Sequence, residues 1–247
     1  MRYLILSDLH ANVDAFNAVL ARVRRKRFDR VVVLGDLIGY GGAPNRTVDR
    51  VRQLPGNPLV IRGNHDKVAS GLDDGQDFNV TARLAASWTE RRLTPSNLRY
   101  VRELAQGPTI LEAGLWICHG SPLDEDQYLL SSFDALDVFE QTDYPIVFFG
   151  HTHLPMFFAC QHGAVRMVRV GEERTSLVLH PDARYLINPG SIGQPRDRDP
   201  RASFVTYDSE RRVVTWHRVK YPVERARQRI LKAGLPQGLG NRLLHGV

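Results

Sequence analysis

Short apolar runs that break straight into carboxylates, imidazoles or an amide constrain this chain more than any other feature. Residues 3–6 lead into Ser7-Asp8-Leu9-His10-Ala11-Asn12, and residues 31–34 into Gly35-Asp36. Residues 58–61 lead into Arg62-Gly63-Asn64-His65-Asp66, and residues 145–149 into Gly150-His151-Thr152-His153. A run that is apolar at every position belongs to a strand covered on both faces. Helical patterns separate the first of these runs. Val13, Phe16, Val19, Leu20 and Val23 recur at helical spacing, and a shorter helix is expected over residues 44–54, after the glycine-rich loop Gly39-Tyr40-Gly41-Gly42. Strands and helices alternating in this way pair in parallel and bind ligands beyond the carboxyl ends of the strands. Asp8, His10, Asp36, Asn64 and His65 all fall there. Taken alone, Gly63-Asn64-His65-Asp66 reads as a polar turn as readily as a site; the strand-end position it shares with the other segments makes it a site candidate.

The remaining chain has a different texture. Residues 80–93 read as a helix, and Thr94-Pro95 supplies an N-cap and a first-turn proline for another through Leu104. Together they form a helical insertion at about residues 73–107, on the domain's edge and placed to cover the site. Residues 109–118 read as two strands about a tight turn, the second delivering His119. After His153, strands follow one another over residues 155–160, 164–170, 176–179, 184–187, 202–207 and 213–219. They are expected to pair mainly antiparallel in a second sheet facing the first. A C-terminal helix is expected at about residues 222–235, and the tail from Gly234 either docks or frays. The expectation is a single domain over residues 1–247.

A 43% hydrophobic chain of 247 residues has enough apolar surface for one full core. Its formal charge of +6 attracts phosphate-bearing partners. The densest basic cluster, Arg22 to Arg27, ends a helix, where cations complement the dipole and form a solvated face, so nucleic acid is not favoured as a partner. Cys118 and Cys160 are too few for a disulfide framework and read as small buried residues. The N-terminus lacks the pattern of a signal peptide, and no run approaches the length of a membrane span, so a cytoplasmic location is expected and no membrane partner. The oligomeric state is open.

Collected from the strand ends, the polar residues are Asp8, His10, Asp36, Asn64, His65, Asp66, His119, His151 and His153. Carboxylates with neutral imidazoles and no thiolate suit manganese, iron, zinc or a similar divalent ion. One ion would leave several of these groups idle; two would use them. The spacings Asp8-x-His10 and His151-x-His153 place alternate side chains of an extended segment on one side, as a shared shell requires. A carboxylate bridging two ions, for which Asp36 is the choice, holds them about 4 Å apart. His162, His180, His217 and His245 lie outside the series and read as surface or satisfied polar groups.

The ordered series Asp-x-His, Gly-Asp, Gly-Asn-His-Asp, His and Gly-His-x-His resembles the calcineurin-like metallophosphoesterase superfamily. Asn188-Pro189-Gly190-Ser191 resembles a further stretch of its small prokaryotic members. The resemblance implies a four-layer α-β-β-α sandwich, two facing mixed sheets with helices outside, and a dinuclear metal site at the strand ends. It implies that Asp8, His10, Asp36 and His153 hold one divalent ion and that Asp36, Asn64, His119 and His151 hold the other. His65 matches the family's catalytic histidine and Asp66 the carboxylate that orients it. The implied activity is hydrolysis of a phosphomonoester or phosphodiester by in-line attack of a metal-bridging hydroxide, on a small molecule or nucleotide. Asn12 and Asn188 are candidates to reach the phosphate, Tyr40 to line the mouth or merely pack. Gly35-Asp36 is not followed by the phosphate-binding arginine of protein phosphatases and symmetrical dinucleoside polyphosphate hydrolases, and Asp66 stands where those tend to carry Glu. Arg196, Arg198 or Arg201 is the expected replacement. The alternatives are a nuclease or dinucleoside polyphosphate hydrolase of the same superfamily and, less favoured, a non-catalytic scaffold.

Overall fold

The computed structural model describes residues 1–112 and 114–247. The first third alternates β1 (Arg2–Leu6), α1 (Val13–Val23), β2 (Arg30–Val33), α2 (Pro44–Arg52), β3 (Leu59–Val60) and α3 (Asn64–Ala69). Two helices follow, α4 (Val80–Arg92) and α5 (Pro95–Arg102), then β4 (Thr109–Glu112), β5 (Leu115–Ile117), α6 (Ser132–Gln141) and β6 (Ile146–Phe148). The rest is β7 (Pro155–Gln161), β8 (Ala164–Arg169), β9 (Arg174–Val178), β10 (Arg184–Pro189), β11 (Ala202–Asp208), β12 (Val213–Val219), α7 (Val223–Lys232) and α8 (Gln237–His245).

Two six-stranded sheets result, in the orders β3-β2-β1-β11-β12-β9 and β4-β5-β6-β10-β7-β8. Each is mixed. β1, β2 and β3 pair in parallel, whereas β1 meets β11 antiparallel; β5, β6 and β10 pair in parallel, whereas β10 meets β7 antiparallel. Alternation along each strand then sorts the side chains into layers. Tyr3 and Ile5 of β1 point between the sheets and join Val32, Ile117, Phe148, Ile187 and Trp216. Leu4 and Leu6 point outward, to Phe16, Val19, Val48 and Ile230 of the helices. On the far side, Val147, Phe149 and Phe158 pack under Ala135, Val138 and Phe139 of α6. The order is helices, sheet, sheet, helix. Trp216, 1% exposed, crosses the middle layer and donates from Nε1 to Asn188 O at 2.9 Å; Trp216→Ala would cost about 3–5 kcal/mol.

Several expectations need correction. The late strands do not form a sheet of their own: β9, β11 and β12 extend the first sheet, and β7, β8 and β10 extend the second. Strand pairing is non-local, and apolar texture does not say which edge a strand joins. Helix α6 was not anticipated, although Ser131 caps it by accepting from Asp134 N, and the Asp134 carboxylate accepts from Ser131 N in return. The tail docks as α8, with Leu239 and Leu243 buried against α7 and the first sheet's outer core. Among the described residues, no helix is long and apolar enough to cross a membrane.

Candidate metal centre

The loops after β1, β2 and β3 stack directly on one another. Asp8 N donates to Gly35 O at 3.2 Å, and His10 N to Asp36 O at 2.9 Å. A Cβ at Gly35, whose φ is +97°, would lie 2.6 Å from Gly63 N, so only glycine allows the second and third loops to approach this closely. The segments carrying Asp8, His10, His151 and His153 are not extended, as their spacing suggested: all four residues have φ between 44° and 66°. That curl turns His151 and His153 to different partners.

The side chains fall into two clusters, Asp8 with His10, Asp36 and His153, and Asp36 with His119 and His151. Their proton inventory shows what they are built to receive. His10 Nδ1 faces Ile38 O at 3.2 Å, His153 Nδ1 faces Gln194 O at 2.6 Å and His119 Nδ1 faces Leu34 O at 2.7 Å. A carbonyl only accepts, so each Nδ1 carries a proton and each ring turns its Nε2 inward, bare in the neutral rings of His10 and His153. The Nε2 atoms of His10 and His153 are 3.0 Å apart, with Asp36 Oδ2 3.3 Å from the first and Asp8 Oδ1 3.4 Å from the second. Four acceptors without a hydrogen among them repel unless a cation sits between. Asp8 Oδ2 is also buried without a partner among the described residues.

The second cluster repeats the arrangement. His119 Nε2 lies 3.2 Å from Asn64 Oδ1 and 3.5 Å from Asp36 Oδ2, and His151, whose Nε2 is taken by Asp126 O at 3.0 Å, has Nδ1 left for the cluster. Asp36 Oδ2 faces both groups, while Asp36 Oδ1 accepts from His65 N at 2.9 Å. The donor set fits two divalent cations.

Burial holds His10 and His153 well below the usual imidazole range and His151 at about 3, so these rings are neutral and their lone pairs free. Burial lifts the Asp8 carboxyl to about 6, with the Asp36 charge adding to it. His119 goes the other way: burial opposes its charge, but the Asp36 carboxylate overcomes this and raises it to about 10. A proton shared with Asp36 there occupies the place a cation would take.

His65 projects from the first turn of α3 between the rings of Tyr40, 4.3 Å away, and Phe78, 4.5 Å away, with His10 edge-on at 5.0 Å. Its Nδ1 is sealed without a partner among the described residues, and burial, with the nearby Arg196 and His119 charges, holds the ring at about 4. The Asp66 carboxylate does not meet this ring. It accepts from Gly63 N at 3.0 Å and from Leu37 N and Ile38 N at 3.2 Å each. Residues 64–66 are helical, and adjacent residues on a helix point about 100° apart. The aromatic rings therefore hold His65, and Asp66 ties the third loop to the second. Burial and the Asp36 charge raise Asp66 to about 7 against the pull of those N–H groups.

The other candidates separate as follows. Asn12 caps α1, accepting from Ala15 N and donating to Gly193 O and Tyr221 OH. Asn188 donates to Gly150 O and Thr152 Oγ1, bracing the loop that carries His151 and His153. Both amides are thus committed to backbone and hydroxyl groups around the site. Tyr40 lines the cleft and also packs on His10 and His65. Arg201 is paired with Asp199, and Arg198 is exposed with its N–H on Gly246 O. Arg196 alone of the three reaches the site: its guanidinium lies 6.0 Å from the Tyr40 ring centre, and its Nε is buried without a partner among the described residues. Arg62, which the sequence left without a role, holds Glu125 through two hydrogen bonds. Sequence reading missed the cleft wall of Lys67, Asp77, Phe78, Asp126 and Tyr128. Its only local signal was the position of residues 73–78 just ahead of α4.

A family model of the calcineurin-like phosphoesterase superfamily domain matches residues 1–212. The chain belongs to that superfamily. Within it, an uncharacterised protein of Methanocaldococcus jannaschii is 33% identical, covering 98% of this chain and 97% of its own. A crystal structure of a metallophosphoesterase from Sphaerobacter thermophilus superposes with a TM-score of 0.86 at 35% identity over all of both chains. Phosphodiesterase YfcE of Escherichia coli K12 is 22% identical over 85% of this chain and 89% of its own. The superfamily match ends before β12; beyond it, α7 and α8 close the side of the site beside His10, Tyr40 and Gln194 through Ala226, Ile230 and Leu243.

Proposed function

We propose that this phosphoesterase hydrolyses a phosphoric ester with two divalent metal ions, by direct in-line attack of water and without a covalent intermediate. The observation that carries the reading is the pair of buried Asp/His clusters that share Asp36 Oδ2. When bound, two such ions supply a water ionised near neutral pH and positive charge against the phosphoryl oxygens. Asp8, His10, Asp36 and His153 would hold one, and Asp36, Asn64, His119 and His151 the other. Arg196 takes a phosphoryl oxygen from the side of Tyr40. His65 donates a proton to the leaving oxygen, and an incoming phosphoryl dianion favours the imidazolium that burial disfavours. Tyr40 and Phe78 restrict the ring to one orientation, which shortens the search for that geometry.

The test is turnover of p-nitrophenyl phosphate and bis-p-nitrophenyl phosphate by the metal-replete protein in ¹⁸O-labelled water. Metal-dependent release with label in the phosphate product is expected. Metal bound with no ester turned over, or product without label, would overturn the reading.

A further inference from the structure

The cleft outside the ligand clusters has walls that phosphate recognition alone does not call for. It measures about 150 Å³ and runs outward from Asn64, His65 and His151 between the start of α4 and the loop before α6. Three carboxylates line it, Asp73, Asp77 and Asp126, against one ammonium, Lys67. That ammonium is already held by Asp126, by Glu125 at 3.4 Å and by Asp73 at 3.5 Å. Arg62 balances Glu125, so no cation of this wall is left to meet a second phosphate. Asp77 is exposed and accepts no hydrogen bond among the described residues.

The remaining lining is aromatic. Phe78 lies against His65, and Tyr128, 44% exposed, lies 3.8 Å from the His151 ring. Carboxylates beside open ring faces make a receptor for a positive charge, since the ring quadrupole and the carboxylates attract it together. Arg196 stands beyond Tyr40, outside the cleft's own lining, with its guanidinium 6.0 Å from that ring's centre and its buried Nε without a partner among the described residues. From the Tyr40 side outward the charge therefore changes sign, from a cation behind that ring to anions with π faces in the cleft.

Resting on the phosphoesterase reading above, we infer that the ester's alcohol carries a positive charge, the substrate being the phosphate of an amino or quaternary-ammonium alcohol. The phosphate enters toward Arg196, and the ammonium lies among Asp77, Phe78 and Tyr128. Nucleotides and polyphosphates, which place further negative charge against Asp73, Asp77 and Asp126, are disfavoured.

The probes are phosphocholine, its uncharged carbon isostere 3,3-dimethylbutyl phosphate, and ADP. They are compared by kcat/KM on the metal-replete enzyme and by calorimetric binding to metal-replete His65→Ala. Phosphocholine is expected to be preferred about tenfold over the isostere, with ADP weakest. The Asp73→Asn/Asp77→Asn double variant should cut that preference to about twofold, and 0.5 M salt should weaken it, since the charges are exposed. Asn keeps the Gly75 hydrogen bond that Asp73 now accepts, so folding is not at stake. Equal or tighter binding of the isostere or of ADP, or a preference unmoved by the double variant, overturns the inference. Absence of turnover on every ester sinks the phosphoesterase reading, while the binding ratios still decide this one.

Discussion

Every imidazole in the two ligand clusters has one nitrogen tied to a backbone carbonyl, of Ile38, Leu34, Asp126 or Gln194, whereas Asp77 and Tyr128 in the outer wall make no side-chain hydrogen bond among the described residues. The inner groups are fixed before any ligand arrives. The outer ones are free to adjust. Electrostatic groups held in place act at full strength in a dry site, while mobile, solvated ones are screened and graded in effect. Under the proposed function, chemistry belongs to the inner cage and selection to the wall.

The hardest way to break this contrast is Asp36→Asn. It places an amide where one oxygen faces both clusters, so activity should fall by more than the ~10²-fold that altering an outer-shell partner costs. Elemental analysis should show metal lost from both positions. Retention of metal and of activity would mean that the shared carboxylate is not what joins the two regions.

His65→Ala comes next, with metal content unchanged. Alkyl phosphates should slow by ~10²-fold or more, whereas p-nitrophenyl phosphate, whose leaving group needs no proton, should slow far less. Equal losses on both would remove the proton-donor role.

Asp66→Ala separates bracing from catalysis. Three backbone N–H groups lose their acceptor, so urea unfolding should show a loss of about 3 kcal/mol. The ratio of alkyl to nitrophenyl turnover should stay as in the parent. A ratio that moved like that of His65→Ala would restore Asp66 as the orienting group.

The smallest effect lies outside both regions and calibrates them against ordinary burial. His217 is stacked on Phe204, bonded to Thr206 Oγ1 and held at about 4 by burial, then by Lys26, Arg174 and Arg22. Its folded value is depressed, so the unfolded chain binds the extra proton. Stability is therefore full above pH ~6.5 and declines as pH falls toward 4, by at most ~1.4 kcal/mol per pH unit. His217→Gln should flatten that slope in urea titrations at pH 7.5, 6 and 5.

Much of the inner cage was legible because it is local. A strand end fixes where a side chain emerges, and Asp8, His10, Asp36, Asn64, His119, His151 and His153 each follow an apolar run directly. Helix α1 was readable to its ends, since Asn12 and the apolar spacing from Val13 to Val23 mark them. What failed was what depends on distant partners. Asp66 stands next to His65 in sequence, but the helical turn separates them, and three N–H groups, Gly63 of its own loop with Leu37 and Ile38 of the loop after β2, claim the carboxylate. The outer wall joins residues 67–82 to Asp126 and Tyr128, segments with no common pattern, so no spacing could announce it.

Asp8, His10, Asp36, His151 and His153 all sit at positive φ, between 44° and 66°. A non-glycine residue held there costs on the order of 1 kcal/mol or more, which glycine would relieve. If these residues hold the metals as proposed, heat tolerance and catalysis select opposite residues at the same five positions. A lineage freed from the chemistry, and screened only for survival on heating, should lose its aspartates and histidines at these sites before its core changes at all.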